Sequence, residues 1–167
     1  MIFIGIGSNL SSNFGDRFKN IDLAISFLET YKVNIIKKSS FYETFSYPNK
    51  SNPKFINSVI AVETKLSAVD LMSVLIFVEE KLERKRDKKN DPRTCDLDII
   101  DYNYQIMNFK YRDLELTLPH KEMTNRNFVL YPLREIYPNW IHPLTKKNIN
   151  VLIKDLKTSN NEITKLS

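Results

Sequence analysis

The run T-C-D-L-D-I-I-D-Y at residues 94–102 constrains the chain most. As a β-strand it alternates faces, so Asp96 and Asp98 project together while Leu97 and Ile99 point the opposite way, into a core. Two carboxylates about 7 Å apart on one strand face repel unless a cation lies between them. Oxygen ligands alone suit Mg²⁺, which takes one or two carboxylates and completes its shell with water and substrate phosphates. Just upstream, Arg84, Lys85, Arg86, Lys88, Lys89 and Arg93 supply six cationic side chains, the charge that a polyphosphate requires. A D-x-D pair alone, or a charge run alone, is commonplace on solvated surfaces. Together they point to a magnesium-dependent enzyme acting on a nucleotide.

The remaining chemistry is narrowed by what the composition leaves out. At 167 residues the chain can bury a real core. Residues 1–160 are read as one domain and 161–167 as a frayed polar tail. The formal net charge of +5 favours anionic partners. No apolar run approaches the roughly 18 residues of a membrane span. The first residues lack the basic start and apolar stretch of a signal peptide. A single cysteine, Cys95, forbids an internal disulfide and suits a reducing cytoplasm, the expected location. Its thiol, beside two aspartates, is read as packing. With only Gly5, Gly7 and Gly15, no Walker loop or dinucleotide fingerprint can be written. Side chains and metal must hold any nucleotide phosphates. His120 and His142 are too few for a zinc site.

Strands are expected over residues 1–7, 33–44 and 55–64, with a further strand at 116–120 ended by Pro119. Residues 104–107 are read as a hairpin partner of the 94–102 strand. Amphipathic spacing predicts helices over 15–31 and from Ser67, where S-x-x-D marks the start. A short helix with an irregular start is expected at 125–137, and a small one at 148–156. Residues 45–54, with two prolines and no apolar period, form a loop. Helices and side-by-side strands together indicate an α+β fold: a mainly antiparallel sheet flanked by helices. On the 55–64 strand Asn57 shares a face with Phe55. A buried amide there either pairs with backbone or reads the polar edge of a ligand ring.

Six segments stand in one order: G-S-N-L from residue 7, S-S-F-Y-E-T from 39, P-K-F-I-N from 53, P-R-T-C-D-L-D-I-I from 92, L-T-L-P-H-K-E-M from 116 and N-R-N-F-V-L-Y-P-L from 125. Across residues 1–140 they resemble the family of 6-hydroxymethyl-7,8-dihydropterin pyrophosphokinases, enzymes of folate biosynthesis. The resemblance implies a three-layer α/β/α fold with a ferredoxin-like core. It implies transfer of the β,γ-diphosphate of ATP to the pterin hydroxymethyl group, with release of AMP. Two Mg²⁺ ions would bridge ATP to Asp96 and Asp98, which join Arg84 and Arg93 as the catalytic set. On the same basis Arg84, Arg86, Arg93 and His120 contact the phosphates, with Arg126 close by. Glu79, Ile99, Thr117 and Lys121 fall on the nucleotide side. Thr44, Phe45, Tyr47, Phe55, Asn57, Asp96 and Phe128 fall on the pterin side, with Asn9 beneath the first loop. The partners implied are small molecules, with neither nucleic acid nor membrane, and the chain is expected to be a monomer.

The residues themselves agree with this assignment. A flat pterin needs aromatic walls, which Phe55 and Phe128 can supply, and an edge reader, which Asn57 can be. Phosphoryl transfer needs positioning and charge neutralisation more than covalent chemistry. A metal-bound Asp96 is a weak base, so the general base is left open. Against the family pattern, Glu83 and Asp91 replace glycines, Asn90 an aromatic, Phe45 a proline, and Glu115 a nucleotide-binding arginine that Arg112 or Lys121 would have to replace. Residues 87–92 are expected to form a lid ordered by bound triphosphate. A nuclease would spread its basic residues along a face. A binding domain without activity has no need of the full carboxylate and arginine set.

Overall fold

The structure is a computed structural model and describes residues 1–85, 90–157 and 162–166. Strand β1 (Ile2–Ser8) lies between β4 (Phe55–Glu63) and β5 (Asp96–Tyr102), antiparallel to both. Helix α1 (Arg17–Thr30) leads from β1 to β2 (Asn34–Lys38) and β3 (Tyr42–Thr44), which pair with successive parts of β4. Helix α2 (Ala68–Lys81) leads from β4 to β5. The order β5-β1-β4-β3, with β2 also on β4, is the split βαβ arrangement of a ferredoxin-like sheet. The expected α+β class therefore stands.

Local chemistry starts both long helices. Asp16 caps α1 by accepting from the Lys19 N–H, and Ser67 caps α2 by accepting from the Asp70 N–H. Ile21, Ala24 and Leu28 of α1 and Leu71, Leu75 and Val78 of α2 then cover one sheet face, against Ile4, Ile60 and Leu97. Two shorter helices, α3 (Asn127–Ile136) and α4 (Ile149–Lys154), cover the other face. Their Leu130, Leu133, Ile149 and Leu152 pack on Phe3, Val59 and Ile100. Each fully buried Leu or Ile is worth roughly 1.5–3 kcal/mol, so both layers are needed. Leu97 and Ile99 face the first core and Ile100 the second by strand alternation, and a register shift between Phe3 and Ile4 keeps Asp101 on the Ile100 side, where it meets Trp140. Among the described residues no helix is long and apolar enough to cross a membrane.

Three expectations are corrected. The 33–44 stretch is two strands, broken where buried Ser39 bonds the Ser58 hydroxyl and its own hydroxyl accepts from the Val59 N–H at 3.0 Å. Residues 104–106 are not a strand. Asn103 and Tyr104 take left-handed φ of 53° and 59°, and Asp101 Oδ1 accepts from the Tyr104 N–H at 3.0 Å, closing a turn. The hairpin begins instead at β6 (Met107–Tyr111), which pairs with β7 (Leu114–Leu118) in a separate small sheet. Finally, the tail is not free: β8 (Ile163–Lys165) pairs with β3, and the Leu166 N–H donates to the Phe41 carbonyl at 2.8 Å. Backbone pairing at a sheet edge needs no alternating apolar pattern, so the short Ile-Thr-Lys stretch can supply it.

Candidate active site

Asp96 opens β5 opposite Gly7 of β1, and Asp98 stands opposite Gly5. Asp96 Oδ1 accepts from Arg84 Nη1 at 2.6 Å and Oδ2 from Arg93 Nη1 at 3.2 Å. Arg84 also pairs with Glu79, which is 1% exposed. Glu79 Oε1 accepts from the Leu97 N–H at 2.7 Å, which pins the end of α2 to the start of β5. Asp98 Oδ2 lies 3.4 Å from Arg126 Nη1 and 4.0 Å from His120 Nε2.

These surroundings split the two carboxyls. Burial pushes Asp96 upward, but the guanidiniums of Arg84 and Arg93 outweigh it and hold its pKa below the usual range. Burial and then the neighbouring Asp96 raise Asp98, and His120 and Arg126 only partly offset them. Burial lowers the His120 pKa below its ordinary value, which favours the neutral imidazole. His120 Nδ1 accepts from the Glu122 N–H at 3.1 Å, which leaves the proton on Nε2, facing Asp98. Cys95 is fully buried and burial pushes its thiol well up, as packing requires.

On one side of the carboxylates lies a floor whose Phe55 and Asn57 are expected from sequence but whose Gly7 sequence reasoning missed. A Cβ at Gly7 would come within 3.3 Å of Asn57 Oδ1, 3.5 Å of Phe55 Cδ1 and 3.9 Å of Asp96 Cβ. Glycine inside a strand was the available signal, since it marks close approach. Asn57 Nδ2 donates to the Tyr42 carbonyl at 3.3 Å and to Thr44 Oγ1 at 3.0 Å. The amide nitrogen is thus committed to backbone and side chain within the fold, and Oδ1 is turned to the Gly7 floor. Arg93 lies 5.6 Å from the Phe55 ring centroid and Arg126 5.6 Å from that of Phe128. Thr44 is buried. Phe45 is half-exposed under the Lys50 and Lys54 ammoniums. Tyr47 is 85% exposed, so it stands in solvent and is not brought to the cluster.

Asn9 is buried and serves as a knot. Its Nδ2 donates to Ser46 Oγ at 3.1 Å and to the Pro53 carbonyl at 3.0 Å, and its Oδ1 accepts from the Arg93 N–H.

On the other side, Ile99, Thr117, His120 and Lys121 line one cavity with Asp98, Phe109, Met72 and Glu115. Glu115 pairs across the hairpin with Lys110 at 3.5 Å, while Arg112 turns to Glu80. Of the two expected compensating residues, Arg112 is thus turned away, while Lys121 lines the same cavity as Glu115. Arg86 and residues 87–89 of the expected lid lie outside the described residues.

Two carboxylates flanked by an aromatic floor and a separate cavity of mixed apolar and charged lining suit a reaction between two substrates. Residues 3–138 match the family described as 7,8-dihydro-6-hydroxymethylpterin-pyrophosphokinase (HPPK). The chain belongs to this family. It is 34% identical to the 2-amino-4-hydroxy-6-hydroxymethyldihydropteridine pyrophosphokinase of Aquifex aeolicus, over 95% of the chain and 91% of that protein. It is 33% identical to the Synechocystis enzyme of the same name, over 92% of the chain and 74% of that protein. It also matches the folic acid synthesis protein fol1 of Schizosaccharomyces pombe at 32%, but spans only 20% of that protein. Among solved structures, Plasmodium falciparum HPPK-DHPS with pteroate superposes with a TM-score of 0.73 at 14% identity, over 92% of the chain and 43% of that protein. HPPK membership makes the chain a pyrophosphokinase of folate biosynthesis.

Proposed function

We propose that the protein transfers the β,γ-diphosphate of ATP to the hydroxymethyl group of 6-hydroxymethyl-7,8-dihydropterin and releases AMP. The observation that carries this reading is the position of Asp96, which borders the Gly7–Phe55–Asn57 floor and is held by both Arg84 and Arg93. Asn57 Oδ1 would accept from an N–H on the pterin edge, with Phe55 and Phe128 stacking on its faces. Arg84 and Arg93 would leave Asp96 in part to grip the triphosphate by charge-assisted hydrogen bonds. His120 Nε2–H and Arg126 would donate to phosphate oxygens, and Ile99, Thr117 and Lys121 would line the nucleotide. Glu79 would act indirectly, by holding Arg84 and β5.

Among the described residues no group of three His, Cys, Asp or Glu gathers, which leaves a two-carboxylate oxygen donor set. That set fits Mg²⁺, which Asp96 and Asp98 would hold as two ions and which would neutralise phosphate charge during transfer. The reading also takes the chain to act as a cytoplasmic monomer without nucleic-acid partners. Incubation with ATP, Mg²⁺ and the hydroxymethyl dihydropterin tests it: AMP and the pterin diphosphate should form together, and no AMP above the pterin-free control would refute it.

A further inference from the structure

We propose that β8 is a positioning element of the acceptor-substrate subsite, clamping β3 from outside and so fixing Thr44 and the loop that follows it. The inference rests on the pterin-side reading above, but its observations are separate. The family match ends at residue 138, well before β8.

β3 has only three residues, and it is held from both sides. β4 pairs with it on the inner edge, and β8 on the outer, with Tyr42 opposite Lys165, Glu43 opposite Thr164 and Thr44 opposite Ile163. The flanking residues extend the grip. Glu162 Oε2 reaches Lys50 Nζ in the 45–54 loop at 3.0 Å. The Glu162 carbonyl accepts from Asn127 Nδ2 of α3 at 3.5 Å. Lys165 Nζ lies 3.5 Å from Glu135 Oε1, the carboxylate that also takes the Ser40 N–H and the Tyr42 hydroxyl.

The inner edge of β3 carries the consequence. The Tyr42 carbonyl and the Thr44 hydroxyl are the two acceptors of Asn57 Nδ2. A shift of β3 therefore rotates the Asn57 amide and moves its Oδ1 off the Gly7 floor. Among the described residues, none of the β8 contacts named here involves Asp96, Asp98, His120 or the cavity lined by Thr117 and Lys121. The effect should fall on the acceptor and spare the nucleotide.

The Leu166 N–H donates to the Phe41 carbonyl, so in the same register the Thr164 N–H faces Glu43. Thr164→Pro deletes that donor, and Thr164→Ala keeps it. Full-length wild type, both variants and a deletion of residues 162–167 are compared for the KM of the hydroxymethyl dihydropterin and of ATP. Thr164→Pro and the deletion should raise the pterin KM by about tenfold, the scale of one lost buried polar contact, with ATP KM within about twofold. Thr164→Ala should match wild type. An unchanged pterin KM in Thr164→Pro, or an equal rise in both KM values, overturns the inference. A wild type that makes no AMP removes instead the functional reading beneath it. If the deletion does not fold, the edge-strand proline still decides.

Discussion

Asn9 and Arg93 hold each other twice: the Arg93 N–H donates to Asn9 Oδ1 at 2.7 Å, and the Asn9 N–H donates to the Arg93 carbonyl at 3.1 Å. The Asn9 side chain then reaches Ser46 and Pro53, so one buried amide joins the first loop, the 45–54 loop and the segment leading into the strand that carries Asp96. Asn9→Ala leaves several of these groups unpaired. It should cost about 1–3 kcal/mol in urea unfolding and lower kcat, because Arg93 loses its anchor. Wild-type stability would show that the knot is dispensable.

The two aspartates should separate on stability while agreeing on activity. Asp96→Ala and Asp98→Ala should each abolish turnover. Asp96 neutralises Arg84, whose side chain is only 9% exposed, so Asp96→Ala should lower stability by about 1–3 kcal/mol. Asp98 is opposed by Asp96, so Asp98→Ala should melt at or above the wild-type temperature without Mg²⁺. Paired melting curves and AMP assays check both halves, and retained activity in either variant counts against the two-carboxylate reading.

Asn57→Ala removes the pterin-facing carbonyl together with the two internal donors. Pterin affinity should fall by about 1–3 kcal/mol, and melting temperature should fall with it, while ATP-analogue affinity stays near wild type. Calorimetry with each ligand separates the two effects. An equal loss for both ligands would make Asn57 purely a brace.

Glu135 offers a pH readout away from the reaction. Burial pushes its carboxyl up, but hydrogen bonds from Tyr42 and Ser40 outweigh it and hold the pKa below its ordinary value. A carboxyl depressed in the folded state stabilises the fold above its unfolded pKa, and that contribution is lost as pH falls through the folded one. Stability should therefore drop below about pH 4.3, the ordinary glutamate value. Glu135→Gln should flatten that acid limb in melting curves taken from pH 6 downward. An unchanged slope would show that the network carries no linkage.

The carboxylate pair and the long helices were legible because alternation, capping and helical spacing are local rules. Asp96, Asp98, Ser67 and Leu71 obey them without reference to distant chain. The place of Asn9 near the site is legible in the sequence but its bonds are not, since Ser46, Pro53 and Arg93 are remote along the chain. β8 is not legible because Ile163, Thr164 and Lys165 pair through backbone at an edge in a run too short to show an alternating pattern. Glu83 shows a departure becoming intelligible. Its φ of 67° is the left-handed conformation that a glycine would adopt without cost and that strains other residues by roughly 1–2 kcal/mol. Here its carboxylate takes the Asn13 N–H at 2.9 Å and Asn13 Nδ2 at 2.6 Å, tying the first loop to the end of α2.

Trp140 is the chain's one tryptophan, fully buried in the layer formed by α3 and α4, with its indole N–H on Asp101 Oδ2 at 2.9 Å. Asp101 lies three residues along β5 from Asp98, about 10 Å at strand rise. Intrinsic fluorescence therefore watches the docking of one helical layer from a point removed from the reacting groups. A shift in emission signals loss of that layer, and a steady emission during ligand titration shows that the site fills without disturbing it.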